Sequence, residues 1–362
     1  MRLFCSPAAK TAFAGAALLC LLAVSSRSLH AQQNVQAGKS KPLAFTGVNL
    51  SGGEFGDRRP NIPAVYGQDY IYPSASEMDY FVGKGVNIIR FPFRWMDVQP
   101  VLNGPLDPVV LGRMKEVVSA ANKRGLVVLL DPHDTARYYS KVIGGPDVPD
   151  AAFADLWSKL AGQFKGNPRI WFGLVNEPYD MPGKQWLDAA NAAIAAIRKT
   201  GATNLILVPG IAWSGAYSWV SSGNGATMLG VRDPKHHFIF EVHQYLDTDS
   251  SGTKTDTVSA TVGSERLKEF TLWCRQHNQR GFLGEFGAAD DAVAAAATKD
   301  MLNYMEANRD VWVGYTWWSA GAWWGDYRFT IEPKNGKDRP QMTVLRPYLQ
   351  VTPLTFDKSS KR

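Results

Sequence analysis

Two glutamates carry the chemistry open to this chain. Glu177 lies in Asn176-Glu177-Pro178 and Glu285 in Gly284-Glu285-Phe286-Gly287, each at the end of a short apolar run. Two carboxylates flanking a glycosidic bond can cleave it. One donates a proton to the leaving oxygen, and the other attacks the sugar carbon or activates water. A separation of about 5–5.5 Å means retention and about 6.5–9.5 Å inversion, and the sequence does not give this distance. An ionised Glu285 disfavours a second negative charge beside it and would keep Glu177 protonated as the acid. Arg90 next to Glu285 would hold that residue ionised. Once Glu285 is consumed in a covalent bond the repulsion vanishes, and Glu177 can serve as the base for water. Tyr245 could donate to Glu285, and the Asn176 amide could bind a sugar hydroxyl.

Other polar residues also follow apolar runs: Arg90, His133, Asn176, His243, Tyr245 and the pair Trp317-Trp318. Taken singly, each has an ordinary structural explanation. An arginine after a strand is usually a salt-bridge partner, a histidine a satisfied structural residue, a tryptophan rim packing. Functional groups at the ends of six of the eight runs form a pattern that single residues do not.

The elements that must position them follow from periodicity. Eight apolar runs read as strands: Ala44–Asn49, Val86–Phe91, Leu126–Asp131, Ile170–Asn176, Leu205–Pro209, Phe238–His243, Phe282–Phe286 and Val311–Trp318. Several are apolar on both faces, as expected of parallel strands covered by helices. Helical patterns occupy Ser74–Lys84, Asp107–Arg124, Asp150–Lys165, Lys184–Thr200, Ser264–Gln279 and Asp290–Arg309. Asp107 and Asp150 are natural N-caps, and Gly85, Gly125, Gly201 and Gly281 stand where a glycine after a helix belongs. The stretch Ala212–Gly223 is Gly- and Ser-rich and only weakly helical. This alternation predicts an α/β fold, a (β/α)8 TIM barrel with enlarged loops and a single catalytic domain, whose chemistry lies at the C-terminal ends of the strands. An open doubly wound sheet fits less well, because Gly52-Gly53-Glu54-Phe55-Gly56 lacks the spacing of a dinucleotide fingerprint.

Composition bounds the rest. The chain has 362 residues, 45% hydrophobic and 20% charged, which excludes a collagen-like or disordered protein. Its 12 Trp, 13 Tyr and 17 Phe suggest flat apolar platforms as well as core. Arg2 and Lys10 precede an apolar run, Thr11 to Val24, too short for a comfortable membrane span, and small residues follow to Ala31. Residues 1–31 therefore read as a secretory signal peptide, with 32–41 a leader, 42–355 the catalytic domain and 356–362 a tail. Removing Arg2, Lys10 and Arg27 takes the net charge from +6 to +3, and no block of like charge marks a nucleic-acid arm. Cys5 and Cys20 leave with the signal, so Cys274 remains as a single buried structural thiol without a disulfide partner.

The ordered series Gly47-Val48-Asn49, Ile89-Arg90-Phe91-Pro92, Asp131-Pro132-His133, Asn176-Glu177-Pro178, Val242-His243-Gln244-Tyr245-Leu246-Asp247 and Gly284-Glu285-Phe286-Gly287 resembles glycoside hydrolase family 5 over about residues 44–350. Within that family it is similar to the secreted endo-β-1,4-glucanases (cellulases). The resemblance implies Glu177 as acid/base and Glu285 as nucleophile of a retaining enzyme. It implies Arg90, His133, Asn176, His243 and Tyr245 as support around the reacting sugar, Trp318 as the platform under it, and Trp213 as an aromatic lining a neighbouring subsite. The stretch Leu246–Thr253 is close to one of the cellulase branch and favours β-1,4-glucan over mannan. Asp134 departs from the Asn found in many relatives, and an extra acid there could shift the pH profile or subsite affinity.

Other chemistries find little support. Five histidines remain after the leader, with no His-Glu-x-x-His and no thiol cluster, so no metal and no cofactor is expected. No Gly-x-Ser-x-Gly elbow follows a strand, and no phosphate-binding loop is present. The alternatives are a mannanase, xyloglucanase, mixed-linkage glucanase or transglycosylase of the same architecture, and, in another class, a non-catalytic glycan-binding barrel. The two acids distinguish the enzyme from the binder. The expected partner is a β-glucan polysaccharide or oligosaccharide acted on by a monomer, extracellular or periplasmic, with no nucleic acid and no membrane in the mature form.

Overall fold

The computed structural model describes residues 41–350. The expected signal peptide, most of the leader and the tail lie outside the described residues. Among the described residues, eight parallel strands form the central sheet: β1 (Phe45–Leu50), β2 (Ile88–Phe93), β3 (Val127–Pro132), β4 (Ile170–Gly173), β5 (Ile206–Pro209), β6 (Phe238–His243), β7 (Gly281–Glu285) and β8 (Trp312–Ala320), and a short antiparallel ribbon, Arg137–Tyr138 with Lys141–Val142, lies in the loop after β3. The eight close into a barrel, with β1 pairing both β2 and β8. The expected (β/α)8 architecture is observed.

Helices cover the barrel: α1 (Ala75–Lys84), α2 (Pro108–Lys123), α3 (Asp150–Phe164), α4 (Gly183–Lys199), α5 (Val262–Gln276) and α6 (Ala292–Ala307). Ser74 and Glu77 form a reciprocal capping box on α1. The Asp107 carboxylate caps α2 by accepting from the amides of Val109 and Val110. Two local expectations are corrected. Asp150 does not cap α3: Pro149 holds the cap position and Asp150 is the first helical residue. Gly281 does not end α5; Asn278 takes the left-handed conformation there, at φ +52°. Gly281 instead opens β7, where an added Cβ would lie 2.4 Å from the Phe270 ring. Between β5 and β6 the weakly helical stretch yields only short turns, Ala212–Ser214, Asn224–Thr227 and Met228–Gly230.

Residues two apart on a strand share a face, so each strand climbs from apolar floor to polar mouth. Ile88, Val127, Leu129, Trp171, Leu207, Ile239 and Phe282 pack together inside the barrel. Two residues above Ile88 is Arg90; above Ile239 come Glu241 and then His243. Gly284 opens space for this charged layer, since a Cβ there would sit 2.2 Å from Glu241 Oε1. Most of the tryptophan is core: Trp95, Trp157, Trp186, Trp219, Trp312 and Trp317 are fully buried, and Trp171 and Trp273 nearly so.

Candidate active site

Arg90 is the hub. It is fully buried on β2 and reaches across the barrel in every direction open to a guanidinium. Nε donates to Glu241 Oε1 at 2.9 Å, Nη1 to Glu285 Oε1 at 2.8 Å and Asn49 Oδ1 at 3.0 Å, and Nη2 to Asn176 Oδ1 at 2.7 Å. Asp131 Oδ2 lies 3.0 Å from Nη1. Burial alone would disfavour the cation, but Asp131, Glu241, Glu285 and Glu177 together hold its pKa above the ordinary arginine value. Burial also pushes the Asp131 carboxyl up, with Arg90 pulling the other way.

Glu285, at the end of β7, is held at both oxygens. Arg90 takes Oε1, and the Tyr245 hydroxyl donates to Oε2 at 2.8 Å. Burial and the nearby Glu285 charge raise the Tyr245 phenol well above its ordinary value, so it stays a donor at any working pH. Glu177 lies beyond the end of β4, with φ +39°, in the left-handed region that non-glycine residues seldom occupy. Its side chain is 19% exposed against 5% for Glu285. Glu285 thus forms the floor, and Glu177 faces the open cleft.

His243 stands between the two acids. Its Nδ1 is 2.7 Å from Glu177 Oε1 and 3.5 Å from Glu285 Oε2. Burial opposes the imidazolium, but Glu285, Glu177 and Glu241 outweigh it and raise the pKa to about 10. The closest ligand atoms of Glu177, His243 and Glu285 all lie within 4.8 Å of one another. The mutual repulsion of the two carboxylates is therefore met by a cation between them, within hydrogen-bond reach of Glu177. The same trio is spaced to surround a cation, yet the charged Arg90 and His243 already occupy its carboxylates and would repel one.

His133 is the opposite case. Burial lowers its pKa to about 4 despite the pull of Glu285 and Glu54, so it is neutral. Nδ1–H donates to Asp131 Oδ2 at 2.8 Å, and Nε2 accepts from Asn176 Nδ2 at 3.3 Å. This fixes the Asn176 amide so that its oxygen meets Arg90. Trp318, 9% exposed, stacks on the His133 ring at 5.2 Å and 12°.

The fold brings Arg90, His133, Asn176, Glu177, His243, Tyr245, Glu285 and Trp318 into one connected cluster. Trp213 is outside it, on the rim, stacked on Tyr179. Asp134 does not face the cleft. It is buried and accepts from the Trp95 amide at 2.6 Å, with Arg94 3.4 Å away, so it holds the loop after β2. Burial raises its pKa to about 6. Cys274 is buried, and burial pushes its thiol pKa up. Three further residues of the cluster, Glu241, Asn49 and Asp131, are not singled out by the sequence pattern. Glu241 was visible as an acid inside the apolar strand Phe-Ile-Phe-Glu-Val-His, two positions before His243. Asn49 and Asp131 stand within quoted motifs, but their partner, Arg90, is distant in sequence.

A closed parallel barrel with two facing acids at its mouth, one buried on an arginine and one open to the cleft, is the arrangement of a glycoside hydrolase. Residues 37–321 match the family described as Cellulase (glycosyl hydrolase family 5), and the chain belongs to that family. It is 38% identical to endo-beta-1,4-glucanase B of Aspergillus niger over 333 residues, 91% of this chain and 98% of that one. The fold is similar to the endo-beta-1,4-glucanase Xac0029 of Xanthomonas axonopodis pv. citri, with TM-score 0.82, 47% identity, and coverage of 85% of this chain and 99% of that one. It is also similar to XacCel5A, solved in complex with cellopentaose, with TM-score 0.83, 50% identity, and coverage of 84% and 99%.

Proposed function

We propose that this protein cleaves internal β-1,4-glucosidic bonds of cellulose and related β-glucans by a retaining double displacement, with Glu285 as nucleophile and Glu177 as acid/base. The observation that carries the reading is the approach of the Glu177 and Glu285 carboxylates to within 4.8 Å, in the short class that leaves no room for a water held between acid and sugar. In the first step Glu285 attacks the anomeric carbon while Glu177 protonates the leaving oxygen. The glycosyl–enzyme bond removes the Glu285 charge. Glu177 then takes a proton from water as the water oxygen attacks the anomeric carbon; the glycosyl–Glu285 bond breaks, and the returning carboxylate is received by Arg90 and Tyr245. Asn176, His133 and Trp318 line the reacting sugar's position, and Trp213 lines a neighbouring one.

The relatives named endo-beta-1,4-glucanase support glucan over mannan or xyloglucan as the substrate. We further propose that residues 1–31 direct export, that 42–355 form one catalytic domain, and that the mature protein works as a secreted monomer. Activity on soluble or amorphous glucan should exceed that on crystalline cellulose. The test compares wild type with Glu177→Gln and Glu285→Gln on carboxymethylcellulose, with mannan and xyloglucan alongside. A fast viscosity drop in wild type, lost in both folded variants, supports the reading. Cleavage of mannan alone would overturn the substrate, and cleavage of no glycan would favour the binding barrel.

A further inference from the structure

The side chains that brace Trp213 on the rim next to Glu177 have no part in the mechanism so far. Trp213 is 54% exposed, and the backbone that presents it is costly: Ala212, Trp213 and Ser214 have φ of 56°, 54° and 55°. Three consecutive non-glycine residues in the left-handed region persist only where the surroundings enforce it. The buried Ser214 hydroxyl ties this turn to Gly210 N and Glu241 O, and the Trp213 ring packs on Tyr179, 5.0 Å away and 8° from parallel. The Arg137 guanidinium sits 4.0 Å from the centre of the same tyrosine ring. A guanidinium and an indole are too large to share one face of a phenol at these distances, so Tyr179 is sandwiched between them.

The three layers come from three loops, those after β3, β4 and β5. The outer two are each tied to the backbone of the middle one, and Arg137 is also anchored within its own loop. Arg137 Nη1 donates to Thr135 O at 2.7 Å and Nη2 to Tyr179 O at 3.2 Å. The Trp213 amide donates to Pro178 O at 3.1 Å. The middle loop is the one that carries Glu177, two residues before Tyr179. A general acid stands on the leaving-group side of the bond it protonates, so the stack and its outer face, Trp213, belong to that side of the cleft.

We propose that Tyr179 and Arg137 are positioning residues for the leaving-group half of the reaction. They lock the Trp213 platform and the Glu177-bearing loop into one unit, so that a glucose seated on Trp213 brings its glycosidic oxygen to the Glu177 carboxyl. This rests on the assignment of Glu177 as acid. Its consequence is selective: the stack matters only when the leaving group is a sugar that needs both a platform and a proton. The cation–π layer is intrinsically favourable, and Arg137 adds its charge to the proton-donating side without touching substrate.

The test uses two substrates. Cellopentaose needs the platform and the acid; dinitrophenyl cellobioside presents a leaving group that needs neither. Arg137→Met and Tyr179→Ala should lower kcat/KM on cellopentaose by about three- to tenfold. Both should keep kcat/KM on dinitrophenyl cellobioside, which reads only the attack step, within about twofold of wild type. Tyr179→Phe, which preserves the stack, should match wild type on both. If Tyr179→Ala does not fold, Arg137→Met carries the comparison. Equal loss on both substrates would reduce the stack to a structural support, and undiminished cellopentaose cleavage would also overturn the proposal. Glu177→Gln, assayed in parallel, separates the two levels. Full cellopentaose activity in that variant would refute the acid assignment. Loss there beside a normal Arg137→Met would refute only the stack.

Discussion

Removing the Tyr245 hydroxyl should slow one half of the reaction and leave the other nearly intact. Tyr245 donates to Glu285 Oε2 at 2.8 Å, and its ring is held against Phe329 and over Gly252, so Tyr245→Phe deletes the donor and keeps the packing. A hydrogen bond to a charged group contributes about 1.5–3 kcal/mol, and each 1.36 kcal/mol is tenfold in rate. The sign depends on the step. During attack Glu285 loses its charge, so the absent donor makes the carboxylate a slightly better nucleophile and offsets any loss of alignment. During breakdown of the glycosyl–enzyme the carboxylate charge returns, and the donor that would receive it is gone. Breakdown should therefore slow by roughly ten- to hundredfold, while kcat/KM, set by attack, changes by less than about threefold. With dinitrophenyl cellobioside the variant should show a burst of dinitrophenol near one equivalent per enzyme, a low steady rate and a lowered KM. Near-UV circular dichroism matching wild type confirms the packing. A parallel fall in kcat and kcat/KM without a burst would refute the reasoning, as would an unchanged kcat.

Gly284→Ala should cost more than ten times the activity although it touches no substrate, because its Cβ would lie 2.2 Å from Glu241 Oε1 and drive that carboxylate off Arg90; activity and thermal unfolding measured together check this. The two site histidines should titrate on opposite sides of neutrality in nitrogen-15 NMR, His133 near 4 and His243 near 10, and both titrating near 6.5 would contradict the buried charge arrangement. Asp233 is held at about 2: burial opposes the charge, but a bidentate pair with Arg198 and two backbone amides outweigh it. Its lowered pKa adds stability that is complete above the unfolded value near 3.9 and is lost as pH falls toward 2. Asp233→Asn should therefore lower Tm at pH 6 and flatten its decline between pH 4 and pH 2. An unchanged slope would exclude this pair as the source.

Much of the barrel was written locally. Strands of four to nine residues with apolar faces, separated by helices that open on Ser74, Asp107 and Asp291, are set by periodicity and capping within a few residues. The polar residues at strand ends were legible for the same reason, since a parallel barrel places all those ends on one rim. The two local misreadings, Asp150 and Gly281, arose where a neighbour decided the outcome: Pro149 took the cap, and Phe270 demanded the glycine.

What the sequence determined by itself was the set of strands, their order and which residues reach the mouth. The tertiary structure alone decided which of those residues meet and in what state of charge. Arg90 finds Glu241 and Glu285 from 151 and 195 residues away, a pairing fixed by barrel closure and strand register rather than by local pattern. The same closure sets the two carboxylates within 4.8 Å, inserts a cationic His243 between them while keeping His133 neutral, and turns Asp134 away from the cleft. Distance and desolvation govern both charge and chemistry here, and they exist only once the chain has closed on itself.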